Sequence, residues 1–229
     1  MNIERARKIL STETGSPEEL MQTPDALWIY AGKNGEPHAV LTSGKHSDGY
    51  INTNAVLKFT NLCEILAGQL IAALGQRGII MKQIDAVVSS SFAAITFGQE
   101  VARQLKTLFV FTEKVGGEQK WGGRFELPAG AKILQVEELI TTTHTTRKVK
   151  KAVLDSNPQV EFLEINGKIV VATIVYRPED LSKEDPEFEV IALIPKEIHI
   201  WDPDKCPLCK KGSPALKPKP NWQRFIEHR

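Results

Sequence analysis

Cysteine is scarce in this sequence, with three residues among 229, too few for a framework of disulfide bonds. Long apolar segments are absent as well, and none approaches the roughly 20 residues that a membrane-spanning helix needs. The first residues, MNIERARKIL, lack the apolar core of a signal peptide. We therefore expect a cytoplasmic protein without a membrane partner.

The chain also lacks an excess of charge of either sign. Lys and Arg total 29 and Asp and Glu total 28, so the formal net charge is +1. Non-specific binding of nucleic acid depends on a surplus of positive charge, so we expect no nucleic-acid partner. The length is sufficient for one sizeable hydrophobic core with a small appendage.

Apolar runs that suit strands alternate with segments of helical apolar spacing along the middle of the chain. The predicted helices cover residues 61–74, 93–105 and 145–154, and the predicted strands cover 84–88, 108–111, 132–136 and 168–175. This alternation indicates an α/β fold with a parallel sheet flanked by helices. Ligands of such sheets bind at the carboxyl ends of the strands, where residues 89–92, 137–146 and Arg177 fall.

The two ends of the chain differ from this middle region. Residues 1–24 are polar and are predicted to be largely helical. An Asn34-Gly35 pair between the apolar segments 26–30 and 39–41 predicts a β-hairpin. From Trp201 onward the chain is rich in Pro, Lys and Trp without clear periodicity, which predicts an irregular extension.

Residues 132–146 (KILQVEELITTTHTT) carry the clearest chemical signal. A strand pattern ends at the acidic pair Glu137 and Glu138, and a cluster of threonines then precedes a helical pattern. Hydroxyls and free backbone N–H groups at the start of a helix can bind a phosphate, and carboxylates can accept from sugar hydroxyls or hold a divalent metal. The same residues are also typical of an ordinary helix cap, so both interpretations stay open from this segment alone.

Three segments considered together point to one family. Residues 41–52 (LTSGKHSDGYIN) contain a Ser-Gly-Lys loop, residues 136–145 contain the acidic and hydroxyl cluster, and residues 175–177 end in Arg177. These segments resemble the type I phosphoribosyltransferases and, within that family, are most similar to the orotate enzymes. The resemblance implies the type I phosphoribosyltransferase-like α/β fold.

The resemblance covers roughly residues 38–180, and it suggests a division of the chain into three parts. Residues 1–37 would form an N-terminal extension and the start of a hairpin hood, and residues 38–180 the phosphoribosyltransferase-like core. Residues 181–229 would form the irregular C-terminal extension with a Cys-x-x-Cys pair.

The resemblance further implies a Mg²⁺-dependent homodimer that transfers ribose 5-phosphate from phosphoribosyl pyrophosphate to a pyrimidine base, with orotate expected, and releases pyrophosphate. A mobile lysine-bearing loop over residues 112–126 would close over the leaving group. The implied catalytic residues are Lys114, Lys120, Glu137 and Glu138. The implied substrate-binding residues are Lys45, Tyr50, Ser89, Ser90, Ser91, Arg124, Thr141, Thr142, Thr143, His144, Thr145 and Arg177.

Four features depart from the family pattern. The acidic pair is Glu137-Glu138 where the family has two aspartates, Thr143 replaces a loop glycine, Phe92 stands in the pyrophosphate loop, and residues 112–126 contain no histidine. These departures leave two alternatives open. One is a non-catalytic, nucleotide-binding regulatory protein on the same fold, and the other is a transferase that uses another acceptor base.

A possible metal site lies in the C-terminal extension. Cys206 and Cys209 form a Cys-x-x-Cys pair that resembles a zinc knuckle, and His199 lies upstream of them. Because zinc takes four ligands, or three and a water, these three residues are the candidates that are close in sequence. The alternative is a tight turn that carries two reduced thiols.

Overall fold

The computed structural model describes residues 1–227 of the chain. Its helices are α1 Ile3–Leu10, α2 Pro17–Gln22, α3 Thr53–Leu57, α4 Thr60–Gln76, α5 Ala93–Leu105, α6 His144–Ser156, α7 Pro207–Lys210 and α8 Trp222–Ile226. Its strands are β1 Leu27–Ile29, β2 His38–Val40, β3 His46–Ser47, β4 Gly49–Ile51, β5 Ala86–Ser90, β6 Leu108–Val115, β7 Glu118–Lys120, β8 Lys132–Ile140, β9 Glu161–Phe162, β10 Glu164–Ile165, β11 Lys168–Tyr176, β12 Phe188–Pro195, β13 Ile200–Trp201 and β14 Ala215–Leu216. None of the helices in the described part of the chain combines the length and apolar composition that crossing a bilayer requires.

A sheet of eight strands forms the centre of the molecule, in the order β10-β11-β8-β5-β6-β7, with β12 paired to β11 and β9 paired to β8. The neighbours β6, β5, β8, β11 and β12 are parallel to one another. The predicted α/β fold with a parallel sheet is therefore confirmed. Because these strands are parallel, their carboxyl ends lie at one edge of the sheet, where a ligand site is expected.

Hydrophobic side chains cover both faces of this sheet. On one face Leu134 of β8 belongs to the same buried cluster as Leu70 of α4 and Phe97 of α5. On the other face Ile133 of β8 shares a buried cluster with Val149 of α6. Successive residues of a strand point to opposite faces, so the adjacent residues Ile133 and Leu134 of β8 serve the two different clusters.

Residues 112–126, predicted as a mobile loop, are partly a β-hairpin. Strand β6 continues to Val115 and pairs antiparallel with β7, and Glu113 lies opposite Lys120. The turn between them consists of Gly116 and Gly117, with φ values of 61° and 83°. Two successive positive φ angles give the tight turn that matches the twist of paired strands, and glycine adopts them without strain.

The predicted hairpin between residues 26–30 and 39–41 is wrong. Strand β1 pairs antiparallel with β4, and β2 pairs with β3. The chain reverses direction near Asn34-Gly35 in a loop that a side chain stabilises. The buried Glu36 carboxylate accepts hydrogen bonds from the backbone N–H groups of Ala31 and Lys33 at 3.0 Å. These bonds close the loop without any pairing of its two flanks.

The chain beyond residue 180 is more regular than predicted. Strand β12 extends the central sheet, with Val190 opposite Val171. Strands β13 and β14 flank β3 and β2 in a separate four-stranded sheet of order β13-β3-β2-β14. The hood (residues 25–51 together with 196–227) is therefore built from both ends of the chain. In its core the Phe225 ring packs edge-on against the Trp28 ring, with the ring centroids 4.7 Å apart.

Candidate functional site

The carboxyl ends of β5 and β8 and the start of α6 surround a cavity of about 360 Å³, here called the donor cavity. Its lining includes most of the residues expected at a phosphoribosyl site. The expected residues that line it are Ser90, Ser91, Lys114, Glu137, Glu138, Thr141, Thr142, His144 and Thr145. The acidic strand end and the threonine loop are thus brought together with the serine loop, as the shared edge of a parallel sheet predicts.

Glu137 is held inside the donor cavity wall. Its side chain is buried and accepts hydrogen bonds from Ser90 Oγ at 2.5 Å and from Gln135 Nε2 at 3.0 Å. Burial raises the pKa of Glu137 to about 7, although these two hydrogen bonds favour its charged form. Burial also raises the pKa of Glu138. The carboxyl group of Glu137 is therefore already hydrogen-bonded to the side chains of Ser90 and Gln135, and in this it differs from the carboxyl group of Glu138.

Two of the expected residues serve the structure around the donor cavity and do not line it. Ser89 is fully buried, and its hydroxyl donates to the Val136 carbonyl at 2.7 Å. Thr143 is also buried, and its hydroxyl donates to Asp185 Oδ2 at 2.5 Å. Arg147 contacts both Thr143 and Asp185, so this cluster fixes the loop before α6 from outside the cavity.

The β6–β7 hairpin contributes Lys114 and Gly117 to the donor cavity. Lys148 of α6, which sequence reasoning missed, also lines the cavity, and its Nζ donates to the Gly117 carbonyl at 3.0 Å and to Glu118 at 2.7 Å. Lys148 therefore ties the hairpin turn to the helix. The signal available in the sequence was weak, because lysines are ordinary on the outer face of a helix.

The remaining two cations of the predicted catalytic loop do not line the donor cavity. Arg124 forms an ion pair with Glu113, and Lys120 is exposed on β7 opposite Glu113. Their contact with pyrophosphate therefore stays a prediction.

A larger cavity of about 560 Å³, here called the acceptor cavity, lies between the hood and the end of β11. It is lined by Thr42, Ser43, Tyr50 and Arg177, and by Lys217 and Lys219 from the C-terminal extension. The two lysines were not predicted, because the tail has no periodic pattern that would place them.

Arg177 occupies a special position in the acceptor cavity. The guanidinium is half-buried, and burial lowers its pKa. Within residues 1–227 its side chain has no hydrogen-bond or ion-pair partner. A cation that is removed from water without a partner is costly, so this group is suited to bind an anionic ligand.

Lys45, predicted to bind the acceptor, lies elsewhere. It forms an ion pair with Asp202 at 3.3 Å, and it is not part of the acceptor cavity lining. Both side chains of this pair are about half exposed, at 52% and 51%. The loop that contains Lys45 does line the cavity, but it does so through Thr42 and Ser43.

A third cavity, of about 540 Å³, has lining residues in common with both of the others. It shares Thr141 and Thr142 with the donor cavity, and it shares Arg177 and Ile198 with the acceptor cavity. Thr141, Thr142 and Arg177 therefore line one cavity together, which brings the threonine loop close to this guanidinium.

The cysteine pair lies against two histidines that the sequence prediction did not include. His38, His46, Cys206 and Cys209 have ligand atoms that all lie within 4.8 Å of one another. His199, predicted as the third ligand, is not part of this cluster. Its Nδ1 donates a hydrogen bond to the Asp48 carboxylate at 2.8 Å, and its ring stacks on Trp201. The histidines that lie near the cysteines are therefore His38 of β2 and His46 of β3, which are remote from the cysteines in sequence, and not the predicted His199.

Curated proteins of similar sequence are orotate phosphoribosyltransferases. No protein-family model matches this chain. The orotate phosphoribosyltransferase of Caldicellulosiruptor bescii is 33% identical over 183 residues, which cover 80% of this chain and 88% of that protein. The orotate phosphoribosyltransferase of Campylobacter concisus is 32% identical over 197 residues, with coverages of 85% and 96%.

Solved structures of orotate phosphoribosyltransferases share the fold of this chain. The crystal structure of orotate phosphoribosyltransferase from Aeropyrum pernix gives a TM-score of 0.52 at 15% identity and covers 77% of this chain and 93% of its own. The corresponding enzyme of Mycobacterium tuberculosis gives 0.54 at 13% identity, with coverages of 78% and 95%. Because curated relatives above 30% identity match over about four-fifths of its length, the chain belongs to the orotate phosphoribosyltransferase family.

Proposed function

We propose that this protein transfers ribose 5-phosphate from phosphoribosyl pyrophosphate to orotate and releases pyrophosphate. The observation that carries the choice of acceptor is Arg177, a half-buried guanidinium without a protein partner in the described chain, on the wall of the acceptor cavity. A guanidinium binds a carboxylate through two parallel hydrogen bonds. Lys217 and Lys219 add positive charge to the same cavity, which suits a carboxylated pyrimidine over a neutral base.

The donor would bind across the first cavity. The hydroxyls of Thr141, Thr142 and Thr145 and the backbone N–H groups at the start of α6 would hold the 5′-phosphate, where the helix dipole favours negative charge. Glu138 would accept hydrogen bonds from the ribose hydroxyls. Glu137 would support this arrangement from within the wall, because its carboxyl group is already bonded to Ser90 and Gln135.

In the transfer itself, the bond between the ribose C1′ and the pyrophosphate oxygen breaks, and a bond from C1′ to a ring nitrogen of the base forms. The proton of that nitrogen passes to the pyrophosphate or to solvent. Negative charge increases on the leaving pyrophosphate. Lys114 and Lys148 line the donor cavity and would stabilise this charge electrostatically. The hairpin turn held by Lys148 would help to exclude water, which otherwise hydrolyses the donor.

The chemistry of the donor cavity fits a hard divalent cation. It presents the carboxyl groups of Glu137 and Glu138 among several hydroxyl oxygens, and Mg²⁺ prefers oxygen ligands shared between one or two carboxylates and substrate phosphates. We propose that Glu138 would hold Mg²⁺ together with the donor, where the ion would supply positive charge to stabilise the leaving pyrophosphate.

We further propose that the protein acts as a homodimer in the cytoplasm. The three cysteines are all free of disulfides, which agrees with a reducing compartment. The dimer follows from the family resemblance, and light scattering of the purified chain would test it.

The direct test is pyrophosphate release from phosphoribosyl pyrophosphate and Mg²⁺, with orotate, uracil and adenine as acceptors. We expect release with orotate and loss of at least about tenfold in kcat/KM when Arg177 is replaced by Gln. Release with another base but not orotate would support the other transferase alternative. Donor binding by calorimetry without release for any base would support the non-catalytic alternative.

A further inference from the structure

Four potential metal ligands converge between the two ends of the chain. His38 Nε2 lies 3.0 Å from His46 Nδ1, and Cys209 Sγ lies 3.5 Å from the first of these atoms and 3.3 Å from the second. Cys206 Sγ lies 3.6 Å from His38 Nε2. Three of the four residues are buried, and the fourth, Cys209, is at the surface.

These separations are close to those of a tetrahedral zinc site. Zinc bonds of about 2.3 Å to sulfur and about 2.0–2.1 Å to nitrogen put neighbouring nitrogen and sulfur ligands about 3.6 Å apart, and two nitrogens about 3.3 Å apart. The observed nitrogen–sulfur distances are 3.3 to 3.6 Å. Four ligand atoms that face a common centre at such spacing need only small shifts to surround one ion.

The hydrogen bonds around His38 orient its free lone pair toward this centre. Ser213 Oγ donates its proton to the Glu36 carbonyl at 2.7 Å, so it accepts at its 3.0 Å contact with His38 Nδ1. Nδ1 therefore carries the proton of a neutral ring, and Nε2 carries the lone pair that faces His46 and the sulfurs. Such an outer hydrogen bond on the second ring nitrogen is typical of metal-bound histidines.

We propose that His38, His46, Cys206 and Cys209 bind one zinc ion that joins the C-terminal extension to the hood. Two nitrogen and two thiolate ligands in a tetrahedral arrangement select zinc over hard cations such as Mg²⁺. Both thiols lose a proton when the ion binds, and the protons pass to solvent. All four positions are filled by protein, which is typical of a structural zinc site rather than a catalytic one.

The position of the zinc site connects it to the acceptor cavity. His38 begins β2 and His46 begins β3, so two ligands flank the loop that provides Thr42 and Ser43 to the cavity. The cysteines precede Lys217 and Lys219, which line the same cavity from the tail. The ion would therefore fix the two sides of the acceptor cavity relative to each other. This consequence rests on the proposed function, whereas zinc binding itself does not.

The test measures metal on the purified full-length chain. Elemental analysis after purification without added metal or chelator should find about one zinc per chain, and Co²⁺ substituted for zinc should give the intense visible absorption of a tetrahedral site with thiolate ligands. Cys209→Ser is the first variant, because Cys209 is the most exposed ligand and its replacement disturbs packing least. His199→Gln is the matched control, since this histidine is nearer to the cysteines in sequence but lies outside the cluster.

We expect the Cys209→Ser and His38→Gln variants to lose at least about tenfold in zinc affinity, measured by competition with a chromogenic chelator, while His199→Gln keeps the wild-type value. Circular dichroism on each variant establishes that it is folded. The proposal is overturned if reduced wild-type protein takes up neither zinc nor Co²⁺, if both ligand variants retain zinc, or if iron is bound instead. The proposed effect of zinc on the acceptor cavity is a separate claim, and it is contradicted if removal of zinc leaves the KM for orotate unchanged.

Discussion

Ser90 Oγ donates a 2.5 Å hydrogen bond to Glu137 Oε2, and this bond joins the carboxyl ends of the neighbouring strands β5 and β8. The family pattern has an aspartate where this chain has Glu137. The additional methylene lets the carboxyl group reach across to the serine loop, so the departure has a structural use. The carboxyl group of Glu137 is thereby engaged within the wall of the donor cavity, so the proposed contact with the ribose hydroxyls falls to Glu138.

The first prediction concerns the pH dependence of stability. Because burial raises the pKa of Glu137 from 4.5 to about 7, the folded chain holds a proton there that the unfolded chain releases. The contribution of this group is therefore fully present below pH 4.5 and is lost as the pH rises to about 7. The whole change amounts to roughly 3 kcal/mol.

Urea denaturation of the wild type and of Glu137→Gln, at pH 5 and pH 8, checks this prediction. The glutamine cannot ionise, so the free energy of unfolding of the variant should increase relative to that of the wild type as the pH rises. The difference in free energy of unfolding between the two proteins is compared at the two pH values, because the contributions of all other titrating groups cancel in it. Equal pH dependence in both would show that the pKa of Glu137 is the same in the folded and unfolded chains.

The second prediction concerns the donor phosphate. Replacement of both Thr141 and Thr142 by alanine should weaken binding of phosphoribosyl pyrophosphate by about 1–3 kcal/mol, because hydrogen bonds to a charged group are lost. Isothermal titration calorimetry measures this change. Thr60→Ala is the matched control, because Thr60 is an exposed threonine at the start of α4 and is not in the donor cavity lining. Unchanged affinity in the double variant would contradict the assignment of the loop.

The third prediction separates the cations of the acceptor cavity. Arg177→Lys keeps the charge but loses the paired hydrogen bonds, so the KM for orotate should rise about tenfold or more while the affinity for the donor is unchanged. Lys217→Ala and Lys219→Ala should raise the same KM by smaller factors. Lys45→Ala should have the least effect, because Lys45 pairs with Asp202 outside the cavity lining. A larger effect at Lys45 than at Lys217 would restore the assignment made from sequence.

The fourth prediction concerns Thr143, which stands where the family has glycine. Thr143→Gly should lower the free energy of unfolding by about 1–2 kcal/mol, since it removes the hydrogen bond to Asp185 and adds backbone freedom. Thr143→Ser retains the hydroxyl and should lose less. Chemical denaturation at neutral pH compares the three proteins. A more stable glycine variant would mean that the threonine is strained at this position.

The fifth prediction concerns the hairpin over the donor cavity. Lys148→Met removes the two bonds that tie Gly117 and Glu118 of the hairpin to α6, so hydrogen exchange of residues 113–120 should accelerate a few-fold. Lys151→Met is a suitable control, because Lys151 forms its ion pair within α6, with Asp155. Equal exchange in the two variants would mean that the hairpin is held by its own strand pairing.

Local periodicity was enough to predict much of the fold. The helices α4, α5 and α6 and the strands β5, β8 and β11 follow from apolar spacing, because that spacing reflects which side chains a helix or strand buries. The failures are pairings between distant segments. Strand β1 pairs with β4 instead of β2, and β12 joins the sheet beyond the predicted boundary at residue 180.

The candidate site divides in the same way. The sequence by itself determined the family resemblance, the acidic strand end, the threonine loop and Arg177, because each is a contiguous motif at the end of one element. Only the tertiary structure decided that Lys217 and Lys219 line the acceptor cavity, that Lys148 reaches the hairpin, and that His38 and His46, not His199, face the cysteines. The physical reason is that these contacts join segments about 30 to 180 residues apart, and chain spacing carries no information about which distant groups the packed core brings together.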